Sequence, residues 1–360
     1  MMTIKYRIYP SKYQQDFLWN QSIALTRLYN QFLAQKIQAY KENGISIKRF
    51  ELQKQLVELK KQNPEYRKIH SQLLQHVPKR LCESFSAFFR RGFGFPKFKS
   101  PRFFFSLVFP QDKGCRIIGR KMIVGKEKIK ILIHKPLPDK IKTRIITRSQ
   151  DNKWFLCLAY ITENEKRLNN EKILGVDLGL KNIIYCSDGH FVRNKNHSKY
   201  FDKQIAKLQN MQSFCHKNSK RNKQTQKVIN RLYGQKVRKT KDFLHKVSHT
   251  LVLKNFDIIG LEKLASKRMS ESNIKGLNRS IRNSQFTTLM CFIKYKAEQL
   301  GKKVVFVNPN HTSEKCCMCG KKYKMQMRDR QMICECGNNM DRDYNASINI
   351  MNLARNSLCQ

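Results

Sequence analysis

The stretch ILGVDLGLKNIIYCSDGHFV, residues 173–192, decides the fold of this chain. It has the pattern of a buried strand, a turn at Gly179, a second strand and a hairpin turn over the letters SDGH. Two later stretches have the same apolar character, NFDIIGLEKL at 255–264 and KKVVFVNP at 302–309, and helical patterns separate them. Strands that alternate with helices in this way indicate an α/β domain.

Helical patterns fill the intervals between these strands and the end of the chain. A long basic region runs from about Lys195 to Lys254, and a helix over 280–301 is expected to end at Gly301, because glycine is favoured just after helix C-termini. The last helix begins near Asp343. Its expected apolar stripe consists of Ala346, Ile350 and Leu353.

The N-terminal part has a different organisation. TIKYRIY at 3–9 predicts a strand that ends at Pro10, and Ser11 is a suitable N-cap for the helix that follows. Further helical patterns cover Ile47–Leu59 and Ile69–Phe89. These patterns predict an N-terminal helical domain.

A loop rich in aromatic and basic residues follows the helices. RRGFGFPKFKSPRFFF, residues 90–105, suits base stacking and phosphate contact, but its aromatic side chains equally suit plain packing under a loop. From Ser106 to Thr162, short β-rich runs alternate with turns. That spacing predicts a small antiparallel barrel.

The charge balance points to a polyanionic partner. The chain of 360 residues has 72 Lys and Arg against 26 Asp and Glu, a formal net charge of +46. Charge on this scale repels itself unless a partner neutralises it, and it is spread along the whole length, which favours nucleic acid over a small anion. A ribosomal or chromatin protein is the simpler alternative, but such proteins do not need carboxylates on apolar strands.

The chain has no features of a membrane or exported protein. It contains no run of 18 or more apolar residues, and its N-terminal letters MMTIKYRIYPSK lack the apolar segment of a signal peptide. We therefore expect no membrane partner and a location in the cytosol or nucleoid, or in the nucleus of a eukaryotic host.

Three carboxylates stand at the ends of predicted elements. Asp177 lies in an apolar strand, Glu262 ends a second one, and Asp343 begins the last helix. An α/β sheet can bring such strand ends to one edge, where two Mg²⁺ ions would neutralise them and support phosphodiester cleavage. Each residue also has a structural reading. Asp177 could be a turn residue, Glu262 could pair with a lysine, and Asp341 or Asp343 could cap the helix.

A cysteine cluster precedes the last helix. Cys316-x-x-Cys319 and Cys334-x-Cys336 have the arrangement of two knuckles joined by a basic hairpin, which describes a zinc ribbon with one structural Zn²⁺. The alternative is a degenerate ribbon that has lost its metal, since the second pair is one residue shorter than Cys-x-x-Cys. Cys317 is interpreted as a bystander.

Taken together, these motifs resemble the transposon-encoded TnpB family, whose relatives include the Fanzor proteins and the compact type V CRISPR effectors. The resemblance rests on the order of GVDLGLKN, IIGLEKL and a cysteine ribbon that runs into DRDYNASINI, and it covers nearly the whole chain. Further similar segments are KYRIYPSKYQ, PKFKSPRFFFS, DFLHKVSHTLV, YKAEQLGKKVVFVNP and HTSEKC.

The resemblance implies a fold of several parts: an α/β nuclease domain of RNase H-like (RuvC) type, a helical recognition domain, a wedge β-barrel and an inserted zinc ribbon. The implied boundaries are 1–10 with 100–165 for the wedge, 11–99 for the recognition domain, 166–309 with 341–360 for the nuclease, and 310–340 for the ribbon. The family's acidic motifs match Asp177, Glu262 and Asp343, which leaves Asp341 as a structural anion beside Arg342.

The implied activity is that of a Mg²⁺-dependent, RNA-guided DNA endonuclease. Its guide RNA would derive from the transposon end, its target would be double-stranded DNA, and the protein would act as a monomer on RNA. The basic region Lys195–Lys254 would lie against the nucleic-acid backbone. The rival hypothesis is a non-cutting nucleic-acid-binding protein, an accessory or regulator of transposition. A strand-transferring transposase is a third, less favoured hypothesis, because the chain lacks a His-hydrophobe-His motif with a nucleophilic tyrosine.

Overall fold

The structure, a computed structural model, describes residues 2–101, 106–161, 172–263, 278, 281, 283–325 and 329–358. Three sequence-based expectations fall outside these residues: the end of the aromatic loop at 102–105, the domain boundary at 165, and the start of the helix predicted from 280. The chain divides into two compact units, Met1–Thr162 and Glu163–Gln360.

Unit 1 contains a curled, half-barrel sheet of seven antiparallel strands, in the order β2-β6-β7-β1-β5-β4-β3. The predicted antiparallel β structure is therefore present, and the first strand of the chain lies at its centre. The strands are β1 (Met2–Tyr9), β2 (Ser106–Phe109), β3 (Arg116–Ile118), β4 (Lys121–Val124), β5 (Glu127–Leu132), β6 (Ile141–Arg148) and β7 (Trp154–Tyr160).

Four helices accompany this sheet: α1 (Lys12–Asn43), α2 (Arg49–Gln62), α3 (Pro64–Arg67) and α4 (Ser71–Arg91). Ser11 caps α1 as predicted, through a reciprocal capping box with Gln14. Helices and sheet share one hydrophobic core, to which Phe32 of α1, Leu74 of α4 and Trp154 of β7 all belong. The boundaries between a recognition domain and a wedge domain stay a prediction.

Unit 2 is built on a five-stranded sheet with the order β10-β9-β8-β11-β12. The strands are β8 (Ile173–Asp177), β9 (Asn182–Cys186), β10 (Phe191–Arg193), β11 (Ile258–Glu262) and β12 (Lys303–Val307). The first three pair antiparallel, whereas β11 and β12 run parallel to β8. The α/β organisation predicted from the strand and helix patterns is present, and this order and these directions are those of the RNase H-like fold that the resemblance implies.

The described helices of this unit are α5 (His197–Ser213), α6 (Lys220–Val252), α7 (Phe286–Gln299) and α8 (Arg342–Asn356), and α5 packs against α6. The basic region predicted as one helical stretch is thus divided into α5 and α6. A core of Leu174, Val176 and Leu261 packs against α6 and α7 on one face, and α8 packs on the other. Between β12 and α8 the chain forms the ribbon, with the hairpin β13 (Gln331–Ile333) and β14 (Asn339–Asp341).

The predicted apolar stripe of the last helix was wrong at one position. Ala346 and Ile350 are fully buried, but Leu353 is 38% exposed and Ala354 takes its place in the core. A spacing of four residues from Ile350 keeps Ala354 on the same side of the helix as Ala346. The place needs a small residue, because a Cβ added at Gly260 would lie 2.9 Å from Ala354 Cβ.

No helix in the described ranges combines the length and the apolar character that crossing a membrane requires.

Candidate active site and metal centre

Two of the three predicted carboxylates end neighbouring parallel strands. Asp177 is the last residue of β8 and Glu262 the last residue of β11, and the register pairs Val176 with Leu261. Because the carboxyl ends of parallel strands lie at the same sheet edge, both side chains are delivered to one place. Both are buried, with 8% and 6% of their surfaces exposed.

The third carboxylate arrives on α8, and two glycines allow this helix to lie close to the sheet. A Cβ at Gly175 would collide with the carbonyl oxygen of Ser347, and one at Gly260 would press on Ala354. Each glycine stands two residues before a carboxylate, so it lies on the same face of its strand as that carboxylate. Asp343, in the first turn of α8, is thereby held beside the strand ends.

The three carboxylates act on one another electrostatically. Burial raises the pKa of Asp177 well above its usual range, and the charges of Glu262 and Asp343 raise it further. Burial also raises the pKa of Glu262 and that of Asp343. A site that gathers buried anions in this way is unfavourable without cations and favourable with them.

Neighbouring polar groups orient each carboxylate. The Thr312 hydroxyl donates a hydrogen bond to Glu262, and the Asn182 side chain hydrogen-bonds to Asp343. The charges of Arg330 and Arg342 act on Asp343 and lower its pKa against the effect of burial. These contacts give the carboxylates fixed positions on rigid elements.

The structure also decides between the capping alternatives. Asp341, not Asp343, is the N-cap of α8: its Oδ1 accepts hydrogen bonds from the backbone N–H groups of Asp343, at 2.8 Å, and Tyr344. Asp343 is therefore free of the capping role and its carboxylate is turned toward the strand ends. The catalytic assignment of Asp177, Glu262 and Asp343 stays a prediction.

The four predicted cysteine ligands come together in the ribbon. The Sγ atoms of Cys316, Cys319, Cys334 and Cys336 all lie within 4.8 Å of one another. Two of the separations are 3.7 Å, from Cys316 to Cys336, and 3.4 Å, from Cys319 to Cys334. Four thiolates around one tetrahedral Zn²⁺, with bonds of about 2.3 Å, would be separated by about 3.8 Å. The set therefore fits a zinc ion.

The short second pair does not prevent this geometry. Gly337, with a φ of 86°, donates a backbone hydrogen bond to Cys334 and closes a tight turn that turns both thiols inward. In the first knuckle, the Gly320 N–H donates to the Cys316 carbonyl across one residue more, which matches the longer Cys-x-x-Cys spacing. Cys317 is not part of the cluster; its backbone N–H donates to Asn345, which agrees with its interpretation as a bystander.

Hydrogen bonds favour the thiolate form of two of the four cysteines, Cys316 and Cys334. Burial alone would raise the pKa of Cys316, but hydrogen bonds from the backbone of Cys319 and from the Asn338 side chain lower it to about 6. The Tyr323 hydroxyl donates to Cys334 and lowers the pKa of that thiol too. Thiolates are the form that binds metal, so these donors favour occupancy.

The ribbon is fastened to the helix that carries Asp343. The Asn345 side chain donates to the carbonyl of Lys315 at 2.8 Å, and the Asn349 side chain donates to the carbonyl of Thr312 at 2.9 Å. Thr312 in turn donates to Glu262. The first knuckle, α8 and one carboxylate thus form a continuous set of contacts.

The two sites differ in their ligands. In the described part of the chain, the four thiols are the one group of His, Cys, Asp or Glu side chains found close enough together to hold a metal ion, with their ligand atoms within 4.8 Å of one another. The three carboxylates provide oxygen ligands instead, which suit a site that holds two metal ions about 3.5–4 Å apart.

Sequence reasoning missed two features of this region. The contact of Thr312 with Glu262 spans 50 positions and leaves no local pattern. The glycines did leave a signal, because ILGVD and IIGLE repeat one arrangement: two apolar residues, a glycine, an apolar residue and a carboxylate.

Comparisons with known proteins agree with this organisation. Three family models match the chain: "Helix-turn-helix domain" at residues 1–44, "Probable transposase" at 155–273, and "Cas12f1-like, TNB domain" at 286–350. Residues 2–43 fold as the strand β1 and the single helix α1, so the first description does not match their structure.

Relatives and a solved structure extend the likeness to most of the chain. A protein of Streptomyces pristinaespiralis named "Putative RNA-guided DNA endonuclease" is 25% identical over 96% of this chain and 88% of its own length. A TnpB-like protein of Methanocaldococcus jannaschii is 29% identical over 51% of this chain and 69% of its own.

Among solved structures, Cas12f1 in a complex with single guide RNA and target DNA superimposes with a TM-score of 0.65 at 16% identity, over 95% of this chain and 83% of that one. This likeness shows that the fold is shared. The family models and the named relatives bear out the resemblance read from the motifs: the chain is similar to proteins of the TnpB family.

Proposed function

We propose that this protein is an RNA-guided DNA endonuclease of a transposon, which cleaves target phosphodiesters at the Asp177, Glu262 and Asp343 edge of unit 2. The observation that carries the proposal is the meeting of two buried carboxylates, Asp177 and Glu262, with the half-buried Asp343; burial and the charges of the other two raise the pKa of Asp177. A protein that only bound nucleic acid would gain nothing from gathering three anions in a chain with a net charge of +46.

The residues fit divalent cations. Asp177, Glu262 and Asp343 provide only oxygen ligands, which Mg²⁺ prefers, and their mutual repulsion is relieved when positive charge is bound between them. When bound, two Mg²⁺ ions would activate the attacking water and stabilise the leaving oxygen of the phosphodiester.

The chain's own residues hold this arrangement in place. Asp177 accepts a hydrogen bond from the backbone of Leu178, and Glu262 accepts one from Thr312, so both carboxylates keep one orientation before substrate arrives. Arg330 is exposed beside Asp343, where its guanidinium can pair with a phosphate of the bound strand. Burial of the site limits access of bulk water.

The proposed partners are a guide RNA from the transposon end and a double-stranded DNA target. Sequence selection would come from base pairing, while the protein holds the backbones. The first half of α6 supports this role with a row of exposed cations: Lys220, Arg221, Lys223, Lys227 and Arg231. Such contacts make binding strongly salt-dependent, by about 0.7–0.9 in log K per phosphate and per tenfold change in salt.

The test is guided cleavage of a plasmid library. The protein is expressed with the DNA that flanks its gene, the RNA that co-purifies is sequenced, and matching targets with randomised flanks are incubated with MgCl₂. We expect cleavage that EDTA abolishes and that is lost in Asp177→Asn, Glu262→Gln and Asp343→Asn. Asp341→Asn is the matched control, because Asn also caps helices and the residue lies beside the site without facing it.

Two results would contradict the proposal. Unchanged cleavage by Asp177→Asn would remove the carboxylate site from the mechanism. RNA and DNA binding without cleavage, under any guide found in the preparation, would favour the alternative of a transposition accessory or regulator.

A further inference from the structure

A row of aromatic side chains continues the line of the carboxylate edge across the sheet. Asp177 of β8 stands opposite Tyr185 of β9, and Tyr185 stands opposite Phe191 of β10. Opposed residues in antiparallel pairs project from the same face, with Cβ atoms about 4.5–5.5 Å apart. The carboxylate, the phenol and the phenyl ring therefore form one line on the face that carries α8.

The rings of this row form a small platform. Tyr185 and Phe191 are stacked, with centroids 5.3 Å apart and an angle of 25° between their planes. Tyr344, in the first turn of α8, approaches Tyr185 at 5.7 Å. Because Asp343 precedes Tyr344, the platform contacts the site from two elements, the sheet and the helix.

Packing alone does not account for Phe191. The core of this unit uses other residues of the hairpin, Ile184 and Cys186, both of which are fully buried. Phe191 lies on the edge strand with 44% of its surface exposed. An exposed ring at the end of an ordered stack leaves one aromatic face open to a further planar group.

The surrounding charges limit what that planar group can be. Tyr185 lies near Asp341 and Asp343, whose negative charges disfavour a phosphate directly on the rings. Arg330 and Arg342 lie near Asp343, on the side of the carboxylates. A ligand with an anionic backbone and uncharged planar rings satisfies both regions when its backbone follows the arginines and its rings lie on the platform.

We propose that Tyr185 and Phe191 form a stacking platform for unpaired bases of the DNA strand whose neighbouring phosphodiester lies at Asp177. The row spans two strand spacings, about 10 Å, which accommodates one or two bases. Bases in a duplex offer no free face inside the helix, so the platform selects single-stranded substrate at the cleavage site. The identity of the strand rests on the proposed function, whereas base stacking by these residues can be measured without it.

The test measures binding in the absence of cleavage. The full-length protein, in EDTA, is titrated into a short oligothymidine that carries one 2-aminopurine and no match to the guide. We expect quenching of the 2-aminopurine fluorescence, which reports stacking. Phe191→Leu and Tyr185→Leu, which keep apolar bulk but remove the ring, should reduce the quenching and weaken binding about tenfold.

The chain offers a matched control. Phe306 lies on β12, the opposite edge strand of the same sheet, and is exposed to a similar extent, 40%. Phe306→Leu should leave quenching and affinity unchanged. Phe191→Trp should restore both, which separates a stacking role from a structural one, and equal melting temperatures show that the variants are folded.

Three outcomes would overturn the proposal. Equal quenching by Phe191→Leu and the parent protein would make the row a packing feature. Equal loss in Phe306→Leu would show that the effect is not local. Preference of the platform for an RNA oligomer of the same sequence would exclude the DNA strand as occupant. If the protein proves unable to cut DNA, this experiment still decides whether the platform stacks bases.

Discussion

The carboxylate edge and the four-cysteine cluster are both suited to cations, but they are held in opposite ways. Asp177 and Glu262 end strands of a sheet whose core packs against two helices, so their positions are fixed before any ion binds. The cysteines lie on turns, supported by a hairpin of two three-residue strands and by few buried apolar side chains such as Met332. We therefore expect the first site to lower the stability of the fold when it holds no cation, and the second to depend on a bound ion for its shape.

Removal of zinc should cause the largest loss of structure of all these changes. It should also show whether the ribbon and the sheet fold independently of each other. Binding of zinc supplies about 10–16 kcal/mol in small zinc domains, so a chelator or Cys316→Ser should unfold the ribbon. Hydrogen exchange should then show loss of protection over 311–341 and persistence in β8 and β11. Elemental analysis should find one zinc per chain in the parent protein.

Cys317→Ser is the control for this experiment, because Cys317 lies next to a ligand but outside the cluster. It should retain zinc and protection. Simultaneous loss of protection in the ribbon and in the sheet would show that the carboxylate edge is not independent of the metal.

Gly175→Ala should cause the next largest loss of stability, because it disturbs the packing of α8 on the sheet. The added Cβ would collide with Ser347 in α8, and overpacking of this kind destabilises by about 1–3 kcal/mol, sometimes more. Urea unfolding should give a lower midpoint, and divalent-cation affinity should fall because Asp343 is displaced with the helix. Gly94→Ala, where a Cβ meets nothing within 4 Å, should be neutral.

Asp177→Asn should stabilise the protein when no divalent cation is present. The substitution removes a buried carboxyl group whose pKa is raised by burial and by the charges of Glu262 and Asp343. Single stabilising substitutions commonly gain about 0.5–2 kcal/mol. Thermal unfolding in EDTA should show a higher melting temperature. A lower one would mean that the carboxylates stabilise the sheet, which would remove the contrast with the cysteines.

Thr312→Val should have the smallest effect, a modest loss of cation affinity at the carboxylates. This loss would measure how far the Thr312 hydrogen bond from the ribbon orients Glu262. It removes the hydroxyl that donates to Glu262 and keeps the shape of the side chain, a loss of about 1 kcal/mol, or about fivefold in Mn²⁺ affinity by EPR titration. Thr312→Ser keeps a hydroxyl and should restore the affinity. Equal affinities in all three proteins would show that Glu262 is oriented without the ribbon.

Most of this organisation could be predicted from sequence because its signals are local. Strand patterns placed Asp177 within one apolar strand and Glu262 at the end of another, and the spacing of the cysteines predicted the four members of the thiol cluster. The row of Tyr185 and Phe191 could not be predicted, because it depends on hairpin register, which a one-residue slip would reverse. Leu353 was wrongly predicted in the core for a similar reason. Leu353 and Ala354 are both apolar and lie three and four residues after Ile350, and both spacings fit one helix face. Only the close packing of α8 on the sheet shows that the smaller Ala354 is the buried residue.

The position of the ribbon between β12 and α8 has a consequence for the order of folding. The strands of the sheet precede the ribbon in the chain, and α8, which covers one face of that sheet, follows it. Because Asn345 and Asn349 fasten α8 to the first knuckle, we expect the helix to pack less firmly on the sheet while the knuckle is not formed. When zinc is scarce, we therefore expect a folded sheet with one apolar face left uncovered. Newly synthesised protein would then aggregate, and this aggregation would appear before a loss of activity in the folded protein.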